Sequence, residues 1–392
     1  MISESLNAFG GGGNLTGLLG NLATILDDPY ARARQAKQEG RKVVGVTPMH
    51  FPEELVHAAG ALPIVLQESN EPVTAGFGHM YPFYCGFTRS NVDLAVRGKL
   101  DILDAVVVSD MCLQTRYMGY VMQRQMPKTP FAYIQWPLEV QSDRWLGITV
   151  DRLERVRGEL EGILGTEIKE AALRESIALY SEHRALLRRL YDLRRAQPGL
   201  LRAREMMALV LSGMVMPKEE HVKLLGEAIV ELERRPAPEA GGVKLFLSGH
   251  LCQAAKADIL DLIENLGGVV VGDDLFTGYR YFATATPDGA GAPMEALAKR
   301  YLNQSVPCPT RADYTQDWAE YIAARSGEHG AQGVVVMIVK FCEPHMIYYP
   351  HLKAVLAEAG VPHVQIETEH EVVSLEGIRT RLQAFIEMLK RK

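Results

Sequence analysis

Three cysteines stand where the chain passes from a strand or loop toward a helix. They are Cys85 in "MYPFYCGFTRSNVDLAV", Cys112 in "DILDAVVVSDMC" and Cys342 in "GVVVMIVKFCEPH". In open parallel sheets the loops from different strands meet at the strands' carboxyl ends, so thiols placed this way could gather in one cleft. Three thiolates suit soft metals, either zinc or an iron–sulfur cluster. The chain has 5 cysteines (the others are Cys252 and Cys308), an odd and widely spread set with no short CxxC spacing. Without an export signal, such a set does not read as a disulfide framework. Buried apolar cysteines and reactive thiols remain the other readings of the pattern.

Two stretches must position these residues. "RKVVGVTPMH" is a short β-branched run and a turn, followed by "PEELVHAAG" as a helix closed by Gly60. "DILDAVVVSDMC" repeats the plan, with a strand over 105–108, and "FAYIQWP" gives a third strand. The helix after Cys85 is expected to start near Ser90–Asn91. From about 151 to 235, apolar positions three and four apart among dense charges predict amphipathic helices. "RRPAPEAGG" marks a boundary. Strands recur in "VKLFLSGHL", "LGGVVVGDDL", "GVVVMIVKFC" and "VPHVQIETE", and "LEGIRTRLQAFIEMLK" closes the chain as a helix.

Strands alternating with helices imply parallel sheets. The expected fold is α/β: two doubly wound (Rossmann- or flavodoxin-like) domains with a helical segment between them. The divisions expected are a lead and helix over 1–40, a first α/β domain over 41–150, a helical segment over 151–238 and a second α/β domain over 239–392.

A formal charge of −6 with no basic stripe argues against nucleic acid as a partner. No apolar run reaches the length of a membrane span. The start, "MISESLNAFGGGGNL", lacks the order of a secretory signal, so a cytoplasmic protein is expected. Gly10–Gly13 read as linker, because no strand precedes them and no Gly-Lys-Ser/Thr follows. With no Walker A pattern elsewhere, any ATP chemistry is expected on another chain.

Taken together, "RKVVGVTPMHFPEELVHAAGALPIVL", "YCGFTRS", "VVVSDMCLQTR", "GDDLFTGYRYF", "VKFCEPHMIYYPHLKAVLAEAGVPHVQIETE" and "GIRTRLQAFIEML" resemble the 2-hydroxyacyl-CoA dehydratase and benzoyl-CoA reductase subunit family. The likeness runs from about residue 40 to the end. It implies a 4Fe–4S cluster between α/β domains, held by Cys85, Cys112 and Cys342, and an acyl-CoA substrate. It also implies a homologous cluster-bearing sister subunit and ATP-hydrolysing iron–sulfur activator subunits, with ferredoxin as upstream donor. Three thiolates leave one iron with an open position. Cys308 or Cys252 could fill it, and ordinary core packing is the plainer reading of both. Zinc is the alternative metal.

Two reactions share this architecture. A dehydratase adds one electron to a 2-hydroxyacyl thioester, giving a ketyl radical that expels hydroxide. A benzoyl-CoA reductase delivers two electrons and two protons to the aromatic ring. The chain's length fits the smaller cluster-bearing (gamma, C-type) reductase subunit, and its Arg- and Ala-rich middle suggests a GC-rich genome. Ring reduction is therefore the expectation, with dehydration as the alternative and a non-catalytic electron-relay or assembly subunit as a reading of another class.

The resemblance also suggests an acid near the substrate, in the pair Glu53 and Glu54 of "FPEELVHAAG", with Glu54 taken as the catalytic one; a first-turn acid also simply complements the helix dipole. His79 and His345 could donate protons, or be ordinary loop histidines. Arg89 and Arg116 could offset the charge of thiolate-bound iron or bind CoA phosphate, or form surface salt bridges. Asp273, Asp274 and Arg280 could contact the acyl-CoA or the partner; "GDD" after a strand is also common turn chemistry. The aromatics Tyr81, Phe83, Tyr84, Phe87 and Phe341 are expected to keep water from the thiols.

Overall fold

The computed structural model describes residues 22, 24–49, 51–140, 142, 144–236, 241–249, 256–287, 291–303, 305–311, 315–371 and 374–391. Gly10–Gly13 and Cys252 lie outside them. In chain order the elements are α1 (Ala31–Gln38), β1 (Val43–Val46), α2 (Glu53–Ala58), β2 (Leu62–Val65), α3 (Gly86–Val96), β3 (Ala105–Asp110), α4 (Leu113–Gln125) and β4 (Phe131–Gln135). Four helices follow: α5 (Arg144–Leu164), α6 (Glu170–Ala196), α7 (Ala203–Val215) and α8 (Lys218–Arg234). The remainder is β5 (Val243–Gly249), α9 (Ala257–Asn265), β6 (Gly268–Asp273), α10 (Pro293–Asn303), α11 (Trp318–Glu328), β7 (Gly333–Val339), α12 (Glu343–Glu358), β8 (His363–Thr368) and α13 (Glu376–Lys390).

The strands form two four-stranded sheets, ordered β2-β1-β3-β4 and β6-β5-β7-β8. All pairings are parallel. In both, the order reverses beside the first strand, so the crevice at the strand ends opens between β1 and β3 in one sheet and between β5 and β7 in the other. Every residue of β1 and of β7 is buried, as continuous valine-rich runs covered on both faces should be. Cys112 follows β3 and Cys342 follows β7, the strands that flank the two crevices.

The middle helices are not a peripheral insert. α7 buries 11 residues, and α6 packs against α2 and α8. The amphipathic pattern of α5, α6 and α8 is legible in sequence, but α7 is apolar on nearly every face. Its burial comes from being enclosed among the other elements.

Candidate metal centre and a second cavity

Each of the three predicted cysteines is the N-cap of a helix: Cys85 of α3, Cys112 of α4 and Cys342 of α12. The sequence predicts the start of α3 at Ser90–Asn91, because serine and asparagine are favoured caps. Both instead lie inside the helix. Ser90 Oγ accepts the backbone N–H of Ser69 at 2.8 Å, and the Asn91 side-chain amide donates to the Phe87 carbonyl at 2.9 Å. Cys85 takes the extended cap conformation, with φ −63° and ψ 155°. Before Cys342, Phe341 adopts φ 66°, a left-handed conformation costing about 1–2 kcal/mol in a non-glycine residue. Pro344 then sits in the first turn of α12, where a missing N–H costs nothing.

The three cysteines line one cavity with Phe87, Met111, Gln114, Thr115, Thr310, Glu343 and Pro344. Cys85 and Cys342 are buried, and Cys112 is partly so. Burial, with the neighbouring Cys112, pushes the Cys85 thiol up to about 12. Burial raises Cys342 well above its ordinary value, reinforced by Cys85 and Cys112, and burial also raises Cys112. Three thiols side by side thus resist ionising together, and a cationic group among them would reverse that preference.

Hydrogen bonding from the first turn of each helix opposes the resistance: Thr88 for Cys85, Thr115 for Cys112 and His345 for Cys342 favour the thiolate. Among the described residues no three His, Cys, Asp or Glu side chains are grouped closely enough for a single metal ion. Zinc ligands lie about 2.3 Å from the metal, which holds sulfurs within about 4 Å of one another. A polynuclear cluster interposes its own irons and sulfides between its thiolate ligands.

Several candidates sit elsewhere than expected. His79 is exposed, 3.3 Å from Gln125, and does not line the thiol cavity. His345 is fully buried. Its Nδ1 lies 3.4 Å from Cys342 Sγ and its ring meets Trp318 edge-on at 5.2 Å, so it stands beside the sulfur in the first turn of α12 and not in a solvated loop. Arg89 is engaged by the Tyr84 carbonyl and Glu369, and Arg116 by Asp110. Asp274 and Arg280 form a fully buried pair at 2.8 Å. Asp273 accepts from Tyr191 at 2.7 Å and Arg194 at 3.0 Å. Of the shielding aromatics, Phe87 lines the cavity, whereas Tyr81 and Phe83 stack on each other while 68% and 59% exposed. Cys308 is buried with Sγ 3.0 Å from Thr310 Oγ1, and Thr310, not Cys308, lines the thiol cavity.

A second cavity has a mixed lining, more apolar than polar. Glu53, Arg280, Tyr281, Arg300, Tyr301 and Thr284 line it together with apolar residues of β1 and β2. Arg280 donates to the Pro307 carbonyl at 2.7 Å; Ser305 and Val306 line this cavity and Thr310 lines the thiol cavity, so one short segment reaches both. Glu54 is locked beneath: Arg184 donates to it at 2.9 Å and Arg300 at 2.8 Å. Burial alone would raise its carboxyl, but Arg300 and Arg184 bring it below the ordinary value. Glu53 is the acid that faces the cavity. Burial raises it, while Tyr281 donates to it at 3.1 Å and Lys218 at 3.3 Å. Burial in turn lowers Lys218.

Sequence reasoning missed the partners that α6 and α8 bring, namely Arg184 and Lys218, because on an amphipathic pattern they read as solvated charges. It also missed Gln114, Thr88 and Thr115. For the threonines a signal was present: a polar residue follows each of the three cysteines at the third position.

The family described as 2-hydroxyglutaryl-CoA dehydratase, D-component, matches residues 48–389, and the chain belongs to that family. It is 30% identical over 374 residues to the beta subunit of lactoyl-CoA dehydratase of Anaerotignum propionicum, covering 95% of this chain and 98% of that one. To the beta subunit of (R)-phenyllactyl-CoA dehydratase of Clostridium sporogenes it is 28% identical, covering 91% and 94%. To the C-type subunit of benzoyl-CoA reductase of Thauera aromatica it is 25% identical, covering 93% and 95%. Each relative is one subunit of a larger enzyme. The expectation of ring reduction, drawn from chain length and composition, gives way here: the dehydratases are the more similar of the three, and chain length does not separate them from the reductase subunit. Among the described residues no helix is long and apolar enough to cross a membrane.

Proposed function

We propose that this chain is the iron–sulfur subunit of a 2-hydroxyacyl-CoA dehydratase, with Cys85, Cys112 and Cys342 holding a 4Fe–4S cluster. The observation that carries the reading is the convergence on one cavity of three N-cap thiols from both halves of the chain, Cys85 and Cys342 buried and Cys112 partly so. When bound, such a cluster supplies one electron of low potential to an acyl thioester. The second cavity, lined by Glu53, Arg280 and Arg300 among apolar residues, is where the chain's own groups would meet the acyl part. Arg300 and Arg280 would orient oxygen atoms there, and Glu53, hard to ionise when buried, would hold or release a proton. The dehydratase beta subunits among the relatives support dehydration over ring reduction. A homologous sister subunit and an ATP-hydrolysing activator fed by ferredoxin are the partners the reading requires.

Anaerobic purification tests it. The protein should be brown, with iron and acid-labile sulfide in equal amounts. Changing any one of Cys85, Cys112 or Cys342 to serine should remove most of both, and Cys308→Ala should not. Colourless protein holding one zinc would overturn the cluster. With sister subunit and activator present, turnover of 2-hydroxyacyl-CoA supports the dehydratase. Turnover of benzoyl-CoA alone would assign the reductase, and substrate binding confined to the sister would leave this chain as an electron relay.

A further inference from the structure

The three thiols share a local pattern that the proposed function does not use. Thr88, Thr115 and His345 each follow their cysteine by three residues and occupy the same position in the first turn of α3, α4 and α12. In each case the side chain turns back toward the sulfur. Thr88 Oγ1 lies 3.6 Å from Cys85 Sγ, Thr115 Oγ1 3.0 Å from Cys112 Sγ, and His345 Nδ1 3.4 Å from Cys342 Sγ.

None of the three side chains is solvated: their exposures are 0%, 1% and 0%. Water therefore does not compete for these contacts, and a polar contact in such surroundings is electrostatically stronger than one in water. The repetition is also geometric. Each cysteine is the N-cap of its helix, a place where a small oxygen commonly sits, and the side chain three residues on reaches back to its sulfur.

A sulfur bonded to iron has no proton to give. In that state the threonine hydroxyls and the His345 Nδ1–H must be the donors. Hydrogen bonds to the sulfurs are among the features that set the potential of thiolate-held clusters. A donor stabilises the more negative, reduced form more than the oxidised one, so it raises the potential.

We propose that Thr88, Thr115 and His345 are positioning residues that fix the three sulfur rotamers and, by donating to the thiolates, raise the reduction potential of the group they hold. The inference rests on the cluster reading given above. Thr115 has the shortest contact and should matter most. Thr88 divides its hydroxyl between the sulfur and the Cys85 carbonyl, to which it donates at 2.8 Å, and should matter less.

The test is a potentiometric titration followed by electron paramagnetic resonance on anaerobically purified wild type, Thr115→Val, Thr88→Val and Thr115→Ser. Thr115→Val should keep its iron and shift to lower potential, Thr88→Val should shift less in the same direction, and Thr115→Ser should return to the wild-type value. If Thr115→Val does not fold, Thr115→Ala carries the same expectation. Wild-type potential in the valine or alanine variant at wild-type iron content overturns this inference and leaves the cluster reading standing. Wild-type protein without iron overturns both.

Discussion

Gln114 accepts the backbone N–H of Cys85 at 2.7 Å, although the two belong to different helices. Its amide nitrogen donates to the Phe341 carbonyl at 2.8 Å. Since Gln114 is two residues from Cys112 and Phe341 adjoins Cys342, one side chain ties the three thiol-bearing segments together.

Gln114→Leu should therefore remove a frame and not a ligand. The buried Cys85 N–H and Phe341 carbonyl lose their partner, and an unsatisfied buried group costs about 1–3 kcal/mol. Thermal denaturation of the iron-free protein should show that loss. Gln114→Glu, which keeps the acceptor for Cys85 but not the donor for Phe341, should fall between the leucine variant and wild type.

Gly86 is a second point of close approach. A methyl group there would lie 2.6 Å from His370 Cβ and 2.9 Å from Glu68 Oε1. Those two side chains form a buried pair, and the His370 Nε2 lies 2.9 Å from the Glu71 carbonyl. Gly86→Ala should cost about 1–3 kcal/mol through overpacking. Because the strain falls on the residue after Cys85, iron retention during anaerobic gel filtration should drop more steeply than the melting temperature.

The pH dependence of stability should show a contribution that carboxylates do not explain. His221 is fully buried, between Ser212 Oγ and His183 Nε2 at 2.8 Å each. Burial, helped by Lys218, lowers it from its ordinary 6.5 to about 3. Below pH 6.5 the unfolded chain binds a proton at this site that the folded chain does not. Stability therefore falls as pH drops from about 6.5 toward 3, by up to about 1.4 kcal/mol per pH unit. Denaturant melts between pH 7 and 5 should show this slope, and His221→Gln should flatten it.

The strands and the three thiols were legible because valine runs and their exits carry their own periodicity. Cys112 and Cys342 could be placed from the ends of β3 and β7 alone. The start of α3 was not legible: Ser90 and Asn91 look like caps, and only their burial against Ser69 and Phe87 shows why the helix begins at Cys85. The choice between Glu53 and Glu54 was hidden for a related reason. Adjacent residues on a helix point about 100° apart, and which one meets Arg184 and Arg300 depends on α6 and α10, far away in sequence. His345 shows the opposite error, since its proximity to Cys342 in sequence was seen but its burial against Trp318 was not.

Two of the three sulfurs arrive early in the polypeptide and the third only after β7. On the cluster reading proposed above, iron delivered before residue 342 has left the ribosome would meet only two of the three donors, so cluster insertion would wait until β7 and the start of α12 have been made.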